Sequence, residues 1–184
     1  MEIRHLNTEE LNAGLEQIRQ APTDGGVLQL IARRPAIEAR ELLQEGQLDP
    51  DSGLVGDNWK TRGELATPKR SANPEAQLTV MNARVADLVA GSRERWPLAG
   101  DQLYIDLDLS LANLPAGTRL AIGAATVEVT PLPHTGCKKF VERFGMDAMQ
   151  FVNSPVGKEL CLRGINARVV KAGKIRLGDT IAKE

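Results

Sequence analysis

The sequence predicts a mainly β protein of α+β composition, a barrel of short strands with small helices set around it. Two patterns carry this. Short apolar or alternating segments recur along the chain (VLQLIARR, QLTVMN, DQLYIDLDL, TRLAI, ATVEVT, INARVV), each bounded by glycine, proline or asparagine. The helical segments between them are brief, which suits decoration of a barrel rather than alternating strand–helix units. A length of 184 residues gives one domain room for a substantial core.

At the start, HLNTEELNAGLEQIRQ reads as a helix. Asn7 is its cap with Glu10 three residues on, Leu11, Leu15 and Ile18 share a face, and Pro22 with TDGG stops it. Residues 1–24 are thus expected to form a helical extension and residues 25–184 the barrel. VLQLIARRP follows as a strand. AIEARELLQEGQLDPDSG has the composition of a helix but the setting of a strand, and a strand is expected. GLVGDNWKTRGELATPKRSANPEA, rich in Gly, Pro and cations, reads as a long loop of the kind that carries function. QLTVMN is a strand and ARVADLVAG a helix closed by Gly91. DQLYIDLDL alternates as a half-buried strand, and SLANLP is a short capped turn. A hairpin is expected around Gly123. KKFVERFG and MDAMQFVNSP make two short helices parted by Gly145, and the close is all strand, with a second hairpin around Ala172 and Gly173.

A hydrophobic fraction of 42% and a charged fraction of 26% fit a soluble globular chain. No apolar run approaches the roughly 18 residues that span a bilayer. The N-terminus lacks the apolar core of a secretory signal, so no membrane partner is expected and the expected address is cytoplasmic. Two cysteines without an export signal predict free thiols. Net charge is −1, yet residues 38–57 hold six acids against one base, and residues 131–178 hold nine bases against three acids. Nucleic acid is a poor match for the basic third, because six aromatic side chains in the whole chain cannot build a stacking platform.

The segment PLPHTGCKKFVERFG places one of two histidines, His134, three residues before one of two cysteines, Cys137. A structural zinc site wants four ligands, and only these two and the distant Cys161 are on offer. A helix beginning at Lys138 would instead put the Cys137 thiol at a helix start beside Lys138 and Lys139, a setting that favours thiolate. Such a thiolate suits a soft metal or a sulfane sulfur. Cys161, in the apolar KELCLRGI, reads as a packed strand residue. No G-x-S-x-G, Walker loop or G-x-G-x-x-G is present, which removes the common hydrolase, P-loop and dinucleotide signatures. Asp57 and Asp101, each after a glycine, read as turn-fixing side chains.

The order of GLVGD at 53–57, AGDQL at 99–103, IGAATVEVT at 122–130, PHTGCKKF at 133–140 and a closing RLGDTI resembles the MOSC domain, the C-terminal domain of molybdenum cofactor sulfurases. The resemblance implies a closed β-barrel with short peripheral helices and a cleft for the molybdenum cofactor. Carried onto Cys137, the family's cysteine is either a thiolate ligand to molybdenum or a sulfur carrier. Lys60, Arg62, Lys138 and Arg168 are then candidates to contact the cofactor's phosphate and pterin oxygens. Asn82 and Asn166 are further candidates, with helix capping the alternative for Asn82, and His134 is a candidate catalytic partner of Cys137. The chain departs from the family in lacking a Lys-x-His-Gly-Gly stretch after GLVGD, where it has NWKTRGELATPKR. The implied activity is reduction of a small N-hydroxylated or N-oxide substrate. Without a flavin, haem or iron–sulfur motif the electrons would come from a separate donor. The alternatives are a sulfur-transfer module charged by a cysteine desulfurase, with a persulfide on Cys137, and a cofactor carrier without turnover.

Overall fold

The computed structural model describes residues 3–62 and 71–184; the middle of the long basic loop lies outside them. The chain opens with helices α1 (Thr8–Ala13) and α2 (Leu15–Arg19), then strands β1 (Gly26–Arg33), β2 (Glu41–Leu43), β3 (Glu45–Asp49) and β4 (Gly53–Leu54). Helix α3 (Trp59–Arg62), strand β5 (Leu78–Asn82), helix α4 (Ala83–Ala90) and strands β6 (Leu103–Asp106), β7 (Arg119–Ile122) and β8 (Ala125–Val129) come next. Three helices, α5 (Lys138–Phe144), α6 (Met146–Asn153) and α7 (Pro155–Glu159), precede β9 (Ile165–Lys171), β10 (Gly173–Arg176) and β11 (Thr180–Lys183).

The main sheet runs β11-β7-β8-β9-β5-β6-β1 and closes on itself where β1 meets β11, with Gly26 opposite Ile181. Every ladder in this seven-stranded barrel is antiparallel except β5–β6, whose crossover is α4. Past the closure, β1 continues beyond the barrel to pair with β2, and β10-β3-β4 form a small second sheet.

Alternation fills two cores. Leu103 and Ile105 face the barrel interior with Val80, Leu120, Val127 and Ala167; Tyr104 faces outward beneath the helices with Leu30, Ala32 and Met81. β6 is therefore buried on both sides, not half-buried, because helices cover its outer face. A register shift between Leu28 and Leu30 reverses the parity of β1. That irregularity lets Leu28 and Ile31 both point inward although they stand three positions apart, an odd offset that would otherwise put them on opposite faces.

The N-terminal helix is capped as expected. Asn7 Oδ1 accepts from the Glu10 N–H at 3.0 Å and Glu10 Oε2 accepts from the Asn7 N–H at 2.9 Å. It breaks at Gly14, where a side chain would collide with Leu88. Its apolar face, Leu11 and Ile18, joins the outer core with α4 and α6.

Two local expectations are corrected. No hairpin forms at Ala172–Gly173: β10 leaves β9 and pairs with β3 instead. Gly173 passes so close to Ala124 that a Cβ would lie 2.3 Å from its backbone, and the Ala124 N–H donates to the Lys174 carbonyl. Cys161, expected on a strand within KELCLRGI, lies instead in a turn after α7, in the left-handed region at φ 50°; Ser154 caps α7, which runs to Glu159 and leaves Cys161 in the turn that follows.

Candidate functional site

A cleft of about 540 Å³ opens between the segment after β1, the residues around α3, the Ala99–Gly100 turn and the loop leading to α5. His134 and Cys137 both line it, and Cys137 is exposed. The loop is pinned at both ends by asparagines. Asn166 Nδ2 donates to the Leu132 carbonyl at 3.0 Å. Asn153 clamps Gly136, accepting from its N–H at 2.8 Å and donating to its carbonyl at 3.1 Å. Cys137 then immediately precedes the first turn of α5, with extended backbone and no hydrogen bond from its side chain to the helix. Its thiol is thus left to the cleft rather than spent on capping.

The cleft is cationic. Among the described residues Arg34, Arg40, Arg62, Lys139, Arg143 and Arg163 line it against one acid, Glu38. Four of these cations have carboxylate partners. Asp57, its side chain shielded from solvent, holds Arg34 by a two-pronged contact, with Oδ1 accepting from Nε at 3.0 Å and Oδ2 from Nη2 at 2.8 Å. Asp101 holds Arg163 at 2.7 Å. Glu38 takes Lys139 at 2.6 Å and Arg143 at 2.9 Å, and the Lys139 bond in particular lowers its pKa. Among the described residues Arg40 donates to the carbonyls of Pro97 and Ala39. Among the described residues neither Arg40 nor Arg62 has a carboxylate partner. Burial, then Arg143 and Arg34, lower the pKa of Arg40; burial, then Arg34, lower that of Arg62. Guanidinium stays charged through such shifts, so the two form a concentrated positive patch.

Behind the loop, Asp101 is sealed from solvent and shared between Arg163 and His134, whose Nε2 lies 3.1 Å from Oδ1. Burial alone would raise the Asp101 carboxyl; Arg163 and His134 outweigh it and hold it at about 2. An ionised carboxylate only accepts, so Nε2 of His134 is the donor in this contact, and Nδ1 is the ring nitrogen not engaged by Asp101. Arg163 also stacks over Phe140, 5.1 Å from the ring centre. Two polar atoms on cleft residues, Asn58 Oδ1 and Arg163 Nε, are buried without a hydrogen-bond partner among the described residues.

Of the residues singled out in the sequence, the structure gathers Cys137, His134, Arg62 and Asn166 around this cleft. Lys60 pairs with Asp51 and Arg168 with Glu128, and neither lines it. Asn82 is occupied in capping α4 through the Arg84 N–H and in donating to the Leu107 carbonyl. Lys138 lies at the start of α5, exposed and outside the lining. Asp57 and Asp101 do more than shape turns: each is the buried partner of an arginine in the cleft wall. Arg34, Arg40 and Asn153 were not singled out. The Arg33–Arg34 pair at the end of an apolar strand was the available signal for the first, since successive residues point to opposite faces.

Among the described residues no helix is long and apolar enough to cross a membrane, and no group of three or more His, Cys, Asp or Glu could hold a metal ion. Comparison with solved structures finds the same architecture in YuaD from Bacillus subtilis, at 15% identity and a TM-score of 0.61, over 86% of this chain and 95% of that one. YiiM from Escherichia coli matches at 17% identity and a TM-score of 0.56, over 86% and 69%. At these identities the likeness concerns the fold. No curated protein sequence matches significantly. The family model of the MOSC domain matches residues 67–182, more than half of the chain and the stretch that contains His134 and Cys137. The chain belongs to the MOSC domain family.

Proposed function

We propose that the cleft binds the molybdenum cofactor, with Cys137 as the thiolate ligand, and that the loaded protein reduces small N-hydroxylated or N-oxide substrates. The family as a whole is associated with this cofactor. The observation that carries the reading for this chain is the pairing of an exposed thiol with a patch of arginines in one cleft. The donor set fits the group. Thiolate suits a soft or borderline metal, and Arg40 and Arg62 are cations awaiting an anion such as a terminal phosphate. The partnerless Asn58 Oδ1 and Arg163 Nε offer an acceptor and a donor. Lys138, Lys60 and Arg168, near the cleft or beyond it, would add to the field rather than touch the ligand as the side chains now stand.

When bound, the cofactor would supply two-electron redox chemistry. Converting N–OH to N–H consumes two electrons and two protons and releases water. The electrons come from a separate donor protein. His134 is placed to handle a proton: Asp101 holds Nε2–H, and Nδ1 is the atom that can accept a proton from solvent and return it. Arg34, fixed by Asp57, shapes the wall without moving.

Elemental analysis of protein made in a cofactor-competent host tests this. Molybdenum should copurify near one per chain and fall at least about tenfold in Cys137→Ser. Arg40→Ala or Arg62→Ala should weaken retention with the thiol intact. The exposure of Cys137 also favours a second reading, a sulfur carrier charged by a cysteine desulfurase. A persulfide on Cys137 in metal-free protein, seen by mass spectrometry, would select it.

A further inference from the structure

A second cavity, of about 470 Å³, lies beside the cationic cleft. Leu132, Pro133, His134, Thr135 and Asn166 line both, so the loop that carries His134 is their common wall. The character of the two is opposite. The second chamber is walled by the buried Leu114, Val129, Val152 and Ile165, and Leu111 stands at its rim with 59% of its surface exposed. Among the described residues Lys158 is the one Lys, Arg, Asp or Glu in its lining.

Two of the other polar side chains there are already committed. Thr130 Oγ1 donates to the Glu75 carbonyl, and Asn166 Nδ2 to Leu132. Burial, with a smaller effect from Asp108, pushes the Cys161 thiol up to about 11, so it remains neutral and presents only a soft, apolar surface. A cavity of this size lies within the roughly 300–1,000 Å³ of small-molecule sites. Apolar walls with few directed polar groups recognise shape and hydrophobic area, not a hydrogen-bond pattern.

We propose that this chamber is a binding site for a neutral ring or branched aliphatic body, and that it seats the body of the molecule whose reactive end enters the Cys137 cleft across loop 131–135. The first half stands on the chamber alone; the second rests on the cleft being the reaction site. The split explains why one loop with two prolines divides an apolar wall from a cationic one. It also assigns substrate selection to Leu111, Leu114, Val129 and Ile165, none of which touches the cleft.

The test uses the full chain without metal. Indole, titrated against methyl-labelled protein, should give saturable shifts at Leu114, Val129, Val152 and Ile165, with Kd on the order of 1 mM or tighter. Ala116→Trp and Leu111→Lys, both at exposed rim positions, should each weaken it about tenfold or more while the remaining spectrum stays folded. Cys137→Ser should leave it unchanged. Shifts elsewhere, no saturation, or equal affinity in both rim variants would overturn the chamber. The link to the cleft is read separately: 2-naphthohydroxamic acid should slow alkylation of Cys137 by iodoacetamide about threefold or more, and Ala116→Trp should abolish that protection. An unprotected Cys137 alongside normal indole binding would sever the link. Loss of the cofactor reading would show as metal-free wild-type protein, a result independent of both measurements.

Discussion

A carboxylate with no solvent contact persists as an ion only where other charges compensate it, and Asp101 is compensated by Arg163 at 2.7 Å and His134 at 3.1 Å. Because its pKa is depressed on folding, to about 2, its contribution is present above the ordinary carboxylate range and lost as pH falls through the folded value. Between about pH 5 and pH 2 the protein should therefore lose about 2 kcal/mol through this one group. Asp101→Asn should flatten that part of the pH dependence in urea denaturation. At pH 7 it should cost about 3–5 kcal/mol, since Arg163 would be left buried and unpaired. A loss below about 1 kcal/mol would mean that Arg163 finds another partner or reaches water. The same residue holds the ring of His134, so the placement of that ring in the cleft wall and the fold's acid stability share one carboxylate.

Elements meet at positions where only glycine fits, and these decide the path of the chain more than propensity does. At the end of β9 the chain could turn back as a hairpin; it crosses to β3 because Gly173 slides against the backbone of Ala124. Gly173→Ala should thus destabilise the protein by about 2 kcal/mol or more through overpacking against immovable backbone. The check is thermal unfolding beside Gly178→Ala, where no neighbouring atom lies within 4 Å and only the positive φ of 89° opposes a side chain. The loop that carries His134 and Cys137 obeys similar logic at its ends, where two asparagine amides replace the ladder bonds that a strand would have supplied.

For the whole molecule, a closed sheet has no free barrel edge to protect, but its outer face needs covering, and helices α1, α2, α4, α5 and α6 do this. The helical extension at residues 1–24 thereby shares the outer core. Leu11, 1% exposed, sits in that core. Leu11→Ala should cost about 2–4 kcal/mol and lower one cooperative transition seen alike by circular dichroism and by tryptophan fluorescence. Two separate transitions would mean that the extension folds on its own. The barrel and its helical layer also set the cleft: α5 brings Cys137, Lys139 and Arg143 to it, and Glu38, between β1 and β2, ties the last two down.

Period and punctuation in the sequence determined most of the strands, the capping box at Asn7, the Gly91 and Gly145 helix ends and the hairpin at Gly123, because each depends on residues within a few positions of one another. The order of short segments also pointed to the family, and the lone His134–Cys137 pair to the site. Tertiary structure alone decided that Arg34 faces the cleft, that Asp57 and Asp101 anchor Arg34 and Arg163, and that Lys60, Asn82 and Arg168 are engaged elsewhere. A cation's partner is chosen by distance in space, and the pairs here join residues 23 and 62 positions apart. Burial works the same way: β6 alternates like a strand with one wet face, and only the helices folded over it made both faces dry.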